Sequence, residues 1–126
     1  MFKRIDHVEI IPCDFERAIS FYTGILGFKI KQQQRVDAFP LEEVAYLELN
    51  GTVLELMRVK DPVLARTDQW QTGYRMIALE VEDMGKAVEY LAAKGVTVTW
   101  GPVVLGKSIR AEIKDPDGLG IELRQW

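Results

Sequence analysis

Cysteine and histidine are almost missing from this chain: in 126 residues each occurs once, as Cys13 and His7. A single cysteine excludes an intrachain disulfide framework, and a reducing cytoplasm is the expected compartment. Cys13 has no second Cys or His near it in sequence and is expected to be a half-buried, unreactive thiol. Long apolar runs are also missing. Nothing approaches the ~20 residues that a helix needs to cross a bilayer, so a membrane is not an expected partner. The opening Met1-Phe2-Lys3-Arg4 passes directly into a patterned strand, and no signal peptide is expected. Charge of one sign is scarce as well: 16 basic residues stand against 19 acidic ones, net -3, and no basic run exceeds Lys3-Arg4. The electrostatic footprint of a nucleic-acid binder is not there.

What is present is an ordinary globular composition, 48% hydrophobic and 28% charged, in a chain long enough for one substantial core. It carries an internal repeat. Ile5 to Ile11 reads as a strand and runs into Asp14, a good helix N-cap, followed by Phe15, Ala18, Ile19, Tyr22 and Leu26 at helical spacing. Arg75 to Val81 runs in the same way into Asp83, then Met84, Ala87, Val88 and Leu91. Asp14 and Asp83, Ala18 and Ala87, and His7 and Met76 are each 69 positions apart. Later in each half, Asn50-Gly51 and Asp115-Pro116-Asp117-Gly118 are turn signals before strands, and Gly51 and Gly118, Leu54 and Ile121, and Glu55 and Glu122 are each 67 apart.

Each half therefore reads strand, helix, strand, strand, strand. The expected elements are about 5 to 11, 14 to 25, 27 to 33, 43 to 49 and 52 to 58, then 75 to 81, 83 to 94, 96 to 100, 108 to 114 and 119 to 124. Residues 1–126 are expected to form one α+β domain, with module one over 1–58, a linker over 59–73 that includes Thr67-Asp68-Gln69, and module two over 74–126. Gln34 to Leu41, with Phe39-Pro40, reads as an irregular loop.

Three residues stand out because strand packing does not explain them. Glu55 and Glu122 each place an acid inside an apolar strand at the same point of the repeat, and a buried carboxylate is costly unless paired or bound to a metal. His7 lies within the first strand. Solvent-facing alternation for the glutamates and a structural hydrogen bond for the histidine are the plain alternatives.

Ile5-Asp6-His7-Val8, Phe21-Tyr22 ahead of Leu26-Gly27-Phe28, Leu54-Glu55-Leu56, Ile77 to Val81 and Asp115 to Leu123 together resemble the vicinal oxygen chelate superfamily, that of glyoxalases, bleomycin resistance proteins and dioxygenases. The resemblance covers essentially the whole chain. It implies paired βαβββ modules forming curved mixed sheets around a central cavity, and commonly a homodimer. It also implies that His7, Glu55 and Glu122 fall on metal-ligand positions, with Glu55 and Glu122 as the catalytic carboxylates. The fourth position departs from the family: Met76 stands where many members have a histidine, and a thioether is a poor ligand for hard or borderline divalent ions. With one histidine, the two-histidine iron site of a ring-cleaving dioxygenase cannot be assembled. What the resemblance then implies is a weakly held Zn, Ni, Mn or Fe ion and a lyase or isomerase acting on a small carbonyl or thioester substrate by α-proton transfer. The alternative is a metal-free binder of a small molecule, with Trp70, Trp100, Phe39 and Tyr74 as aromatic wall. Arg75, Lys107 and Arg110 could meet an anionic group but read first as solvated positions.

Overall fold

The computed structural model describes residues 1–65 and 70–126. The chain forms two compact units, Met1–Ala65 and Arg66–Trp126. The Thr67-Asp68-Gln69 part of the expected linker lies outside the described residues. Each unit is an α+β assembly of one helix and an open four-stranded mixed sheet.

Unit one contains β1 (Val8–Ile10), α1 (Phe15–Gly24), β2 (Lys29–Ala38), β3 (Leu41–Leu49) and β4 (Thr52–Val59), with strand order β1-β4-β3-β2. Asp14 caps α1: its carboxylate accepts from the Arg17 N–H at 3.0 Å. The helix buries Phe15, Ala18, Phe21 and Tyr22, and the alternating Leu54 and Leu56 of β4 and Ala45 and Leu47 of β3 are buried with them. Each fully buried leucine contributes roughly 1.5–3 kcal/mol. Asn50 and Gly51 both adopt positive φ, 47° and 86°, which is what a two-residue hairpin turn matched to strand twist requires. That turn sets the β3–β4 register, in which Tyr46 faces Glu55 across the strands. β1 joins the other edge of β4 in parallel, with Glu9 in register with Glu55.

Unit two contains β5 (Ile77–Glu80), α2 (Met84–Ala93), β6 (Trp100–Leu105), β7 (Ser108–Lys114) and β8 (Gly120–Gln125), with strand order β5-β8-β7-β6. Asp83 caps α2 as Asp14 caps α1, accepting from the Lys86 N–H at 3.0 Å. Met84 and Leu91 of the helix, with Ala111, Ile113, Ile121 and Leu123 of the sheet, make its core. The intervening residues of β7 and β8 put Arg110 opposite Arg124 and Glu112 opposite Glu122. No helix among the described residues is long and apolar enough to cross a membrane.

Three local expectations change. The expected loop from Gln34 to Leu41 is mostly strand, because β2 continues to Ala38 before the Phe39-Pro40 turn. As an edge strand exposed on nearly all its length, β2 needs no apolar alternation; backbone pairing with β3 holds it. The second strand of unit two, β6, lies at 100–105 rather than 96–100. The turn at Gly106-Lys107, with Gly106 at φ 59°, pairs Leu105 with Ser108, and the Gly101-Pro102 interruption is absorbed as a register shift between Trp100 and Val103. Cys13 is exposed rather than half-buried, since it sits between Pro12 and the α1 cap, outside the packed face.

Candidate functional site

In unit one, β1 and β4 run parallel with two carboxylates in register, Glu9 and Glu55. Like charges directly opposite each other destabilise a sheet unless a cation lies with them. His7 supplies a group for that position. Its Nε2 is 3.1 Å from the Glu55 carboxylate and 3.7 Å from that of Glu9. Its Nδ1 is 2.8 Å from Asp6, so Nε2 is turned toward the two glutamates. Hydrogen bonding to Asp6 raises the His7 pKa above its usual 6.5; partial burial opposes this and the Glu55 charge reinforces it. The same hydrogen bond holds Asp6 below the ordinary carboxylate range.

Glu55 is 5% exposed, the most buried acid of the cluster. Tyr46, its partner across β3 and β4, holds it from the other side: hydrogen bonding to Glu55 is the main reason the phenol pKa is raised. The Tyr46 ring also packs edge-on against the His7 imidazole at 5.8 Å. One atom from each of His7, Glu9 and Glu55 lies within 4.8 Å of the others. One imidazole nitrogen and two carboxylate oxygens form a donor set that suits a divalent ion. The Asp6 contact on the far side of the ring is the outer-shell partner that metal-binding histidines normally have. On this structure the residues present fit a metal. Glu9 and Tyr46 were not singled out from sequence, although the Asn50-Gly51 turn fixes Tyr46 opposite Glu55 by simple counting.

In unit two Glu122 has different neighbours. Arg124 donates to its Oε1 from Nε at 2.7 Å, and Arg124 Nη2 lies 2.6 Å from the same oxygen in an ion pair. Arg110 Nε lies 3.0 Å from Oε2, close enough for an ion pair but without hydrogen-bond alignment. Arg110 also donates to Glu112 from Nη2 at 2.8 Å, and Arg75 Nη2 lies 3.4 Å from the same oxygen. Arg75 and Arg110 are thus drawn into an ion-pair network rather than extended into solvent. Met76 packs its methyl group toward Gly120, where a Cβ would come within 2.9 Å of it, and its sulfur accepts from Arg75 at 3.2 Å. Phe39 and Tyr74 are exposed, and Lys107 occupies the β6–β7 turn.

The model of the Glyoxalase/Bleomycin resistance protein/Dioxygenase superfamily matches residues 4–123. An uncharacterized protein of Bacillus subtilis (strain 168) is 34% identical over 130 residues, covering 98% of this chain and 97% of that protein. A lactoylglutathione lyase of Neisseria meningitidis serogroup A is 33% identical over 129 residues, covering 97% and 90%. A lactoylglutathione lyase of Arabidopsis thaliana is 34% identical over 131 residues, but this chain spans only 44% of its length. Among solved structures, a glyoxalase family protein from Enterococcus faecalis shares the fold with a TM-score of 0.85 at 23% identity, covering 98% of each chain. The trypanothione-dependent glyoxalase I of Leishmania major has a TM-score of 0.79 at 29% identity, covering 98% of this chain and 87% of that one.

Proposed function

This chain belongs to the glyoxalase/bleomycin resistance protein/dioxygenase superfamily, and we propose that within it the protein is a metal-dependent lyase or isomerase that moves an α-proton on a small carbonyl or thioester substrate. The observation that carries this reading is the pair Glu9 and Glu55, aligned in parallel strands with the His7 Nε2 between them. His7 and Glu55 would hold the ion and Glu9 would be the third donor. A bound divalent ion would polarise the substrate's carbonyl oxygen and so acidify the neighbouring C–H.

Everything else falls to this chain's own side chains. Asp6 orients the imidazole, Tyr46 fixes the Glu55 carboxylate, and Glu55 is the acid placed to take and return a proton. Glu122 is proposed as the second carboxylate of the reaction, as ligand or base. To act in either role it must give up at least one of its two guanidinium partners. We further propose one domain over 1–126, modules meeting through the linker at 59–73, a cytoplasmic homodimer, and Met76 as packing rather than ligand.

The test is α-proton exchange in deuterated water, followed by NMR, with the hemithioacetal of glutathione and methylglyoxal and with branched acyl thioesters. Metal-loaded protein is expected to exchange the α-proton of at least one of these, and chelator is expected to stop it. Turnover of the hemithioacetal is expected to lie below the ordinary enzyme range of about 1 to 1,000 per second, because the Met76 position lacks an imidazole. A second reading, a metal-free binder, is favoured by the engagement of Glu122 by Arg110 and Arg124; saturable ligand binding without metal and without exchange would select it.

A further inference from the structure

The polar face of the unit-two sheet carries charges in an order that stability alone does not favour. Arg110 stands directly opposite Arg124, and Glu112 directly opposite Glu122. Like charges facing each other across strands are destabilising. The same four residues with each arginine opposite a glutamate would pair fully without that cost. The observed order instead gathers guanidiniums on shared carboxylates: Arg124 and Arg110 on the two oxygens of Glu122, and Arg110 and Arg75 on one oxygen of Glu112.

The cluster holds three guanidiniums against two carboxylates. Glu80, the register partner of Arg124 on β5, is exposed and makes no ion pair among the described residues. The Nη1 groups of Arg110 and Arg124 are in none of these ion pairs, so donors remain for a ligand.

Each of these arginines also lies over a different indole. Arg75 is 4.8 Å from the Trp70 ring centre, Arg110 is 5.4 Å from that of Trp100, and Arg124 is 5.1 Å from that of Trp126. These are all three tryptophans of the chain. All three rings are exposed: 80%, 41% and 72%. Large exposed rings are uncommon, and a guanidinium beside an indole offers a charge for an anion and a flat surface for a ring.

The geometry points to an anion site on this face, formed by Arg110 and Arg124 with Arg75, that takes a carboxylate attached to a planar ring, the tryptophans flanking the ring. A guanidinium suits a carboxylate through parallel N–H···O bonds, and Arg110 and Arg124 each keep an Nη1 outside the ion pairs given above. The site lies within unit two and does not depend on an ion at His7, Glu9 and Glu55; it rests on the metal-free reading of Glu122, which stays with Arg110 and Arg124 rather than serving as ligand or base.

Metal-free protein of residues 1–126 in chelator, labelled with 15N, gives three indole N–H signals by which binding can be read. Benzoate is expected to shift at least two of them saturably, and benzamide, of the same shape without the charge, is expected to bind at least about tenfold more weakly. Acetate, which lacks the ring, should also be weaker. Arg110→Gln and Arg124→Gln, checked for native signals elsewhere, should each weaken benzoate by about tenfold or more. Equal binding of benzamide, no saturation by benzoate, tighter binding of inorganic phosphate than of benzoate, or full retention in both arginine variants would overturn the proposal. The benzoate and benzamide comparison uses wild-type protein and so stands even if a variant misfolds.

Discussion

Glu55→Gln is expected to weaken divalent metal binding by about a hundredfold or more while the chain remains folded. Removing an outer-shell partner of a metal ligand already costs about 10- to 100-fold, and loss of the ligand's charge should cost at least the upper end of that range. The amide keeps the volume and one acceptor oxygen, so the Tyr46 contact can survive and the leucines on either side, Leu54 and Leu56, need not move. What disappears is the buried charge facing His7 at 3.1 Å. Glu9→Gln should weaken binding less, since Glu9 is exposed and stands farther from the imidazole, at 3.7 Å. Competition titration of Ni or Zn against a chelator of known affinity measures both. Equal affinities in wild type and Glu55→Gln would remove Glu55 from the metal site.

Gly101→Ala is expected to destabilise the protein by about 3 kcal/mol or more, the scale of a genuinely strained or overpacked substitution. Gly101 has φ 79°, where an L side chain is strained, and an added Cβ would sit 2.6 Å from the Arg110 carbonyl oxygen and 3.1 Å from the Ala111 Cα. Both obstacles are backbone of β7, which cannot swing aside. Gly120→Ala is the instructive contrast. Its Cβ would meet the terminal methyl of Met76 at 2.9 Å, the far end of a flexible side chain, so a cost of only about 1 kcal/mol is expected. Urea unfolding of the two variants compares them. A Gly101→Ala protein as stable as wild type would mean that the bulge between Trp100 and Val103 is soft. Because Arg110 lies in that bulge's partner strand, the same substitution should also disturb the arginine cluster.

Much of this was readable from residue spacing. The 69- and 67-residue offsets locate both helices, both caps and the paired Glu55 and Glu122, because a repeat forces the same hydrophobic and capping solutions twice. His7 is legible as the lone imidazole of the chain in an expected strand, although the strand itself, β1, begins one residue later at Val8. Glu9 was hidden because it alternates correctly for a solvent-facing residue; only the parallel register with β4 reveals that it faces Glu55. The arginines were hidden for a related reason. Arg110 and Arg124 obey strand alternation and look solvated, and neither sequence separation nor composition shows that β7 and β8 set them side by side. The full length of β2 is not legible in the sequence because backbone pairing, which leaves no apolar pattern, holds an exposed edge strand.

The central claim is that His7 and Glu55 hold a divalent ion, and calorimetric titration of wild type and His7→Ala with Ni and Zn, at about pH 6 and pH 8.5, tests it most directly. The His7 pKa is raised, so its proton stabilises the metal-free fold below the usual 6.5 and that contribution is lost as pH rises through the raised value. The ion must displace this proton. The account predicts about one ion per chain for wild type, tighter at the higher pH, and at least about a hundredfold weaker binding for His7→Ala. Wild-type binding that is absent, or that His7→Ala matches at both pH values, would contradict it.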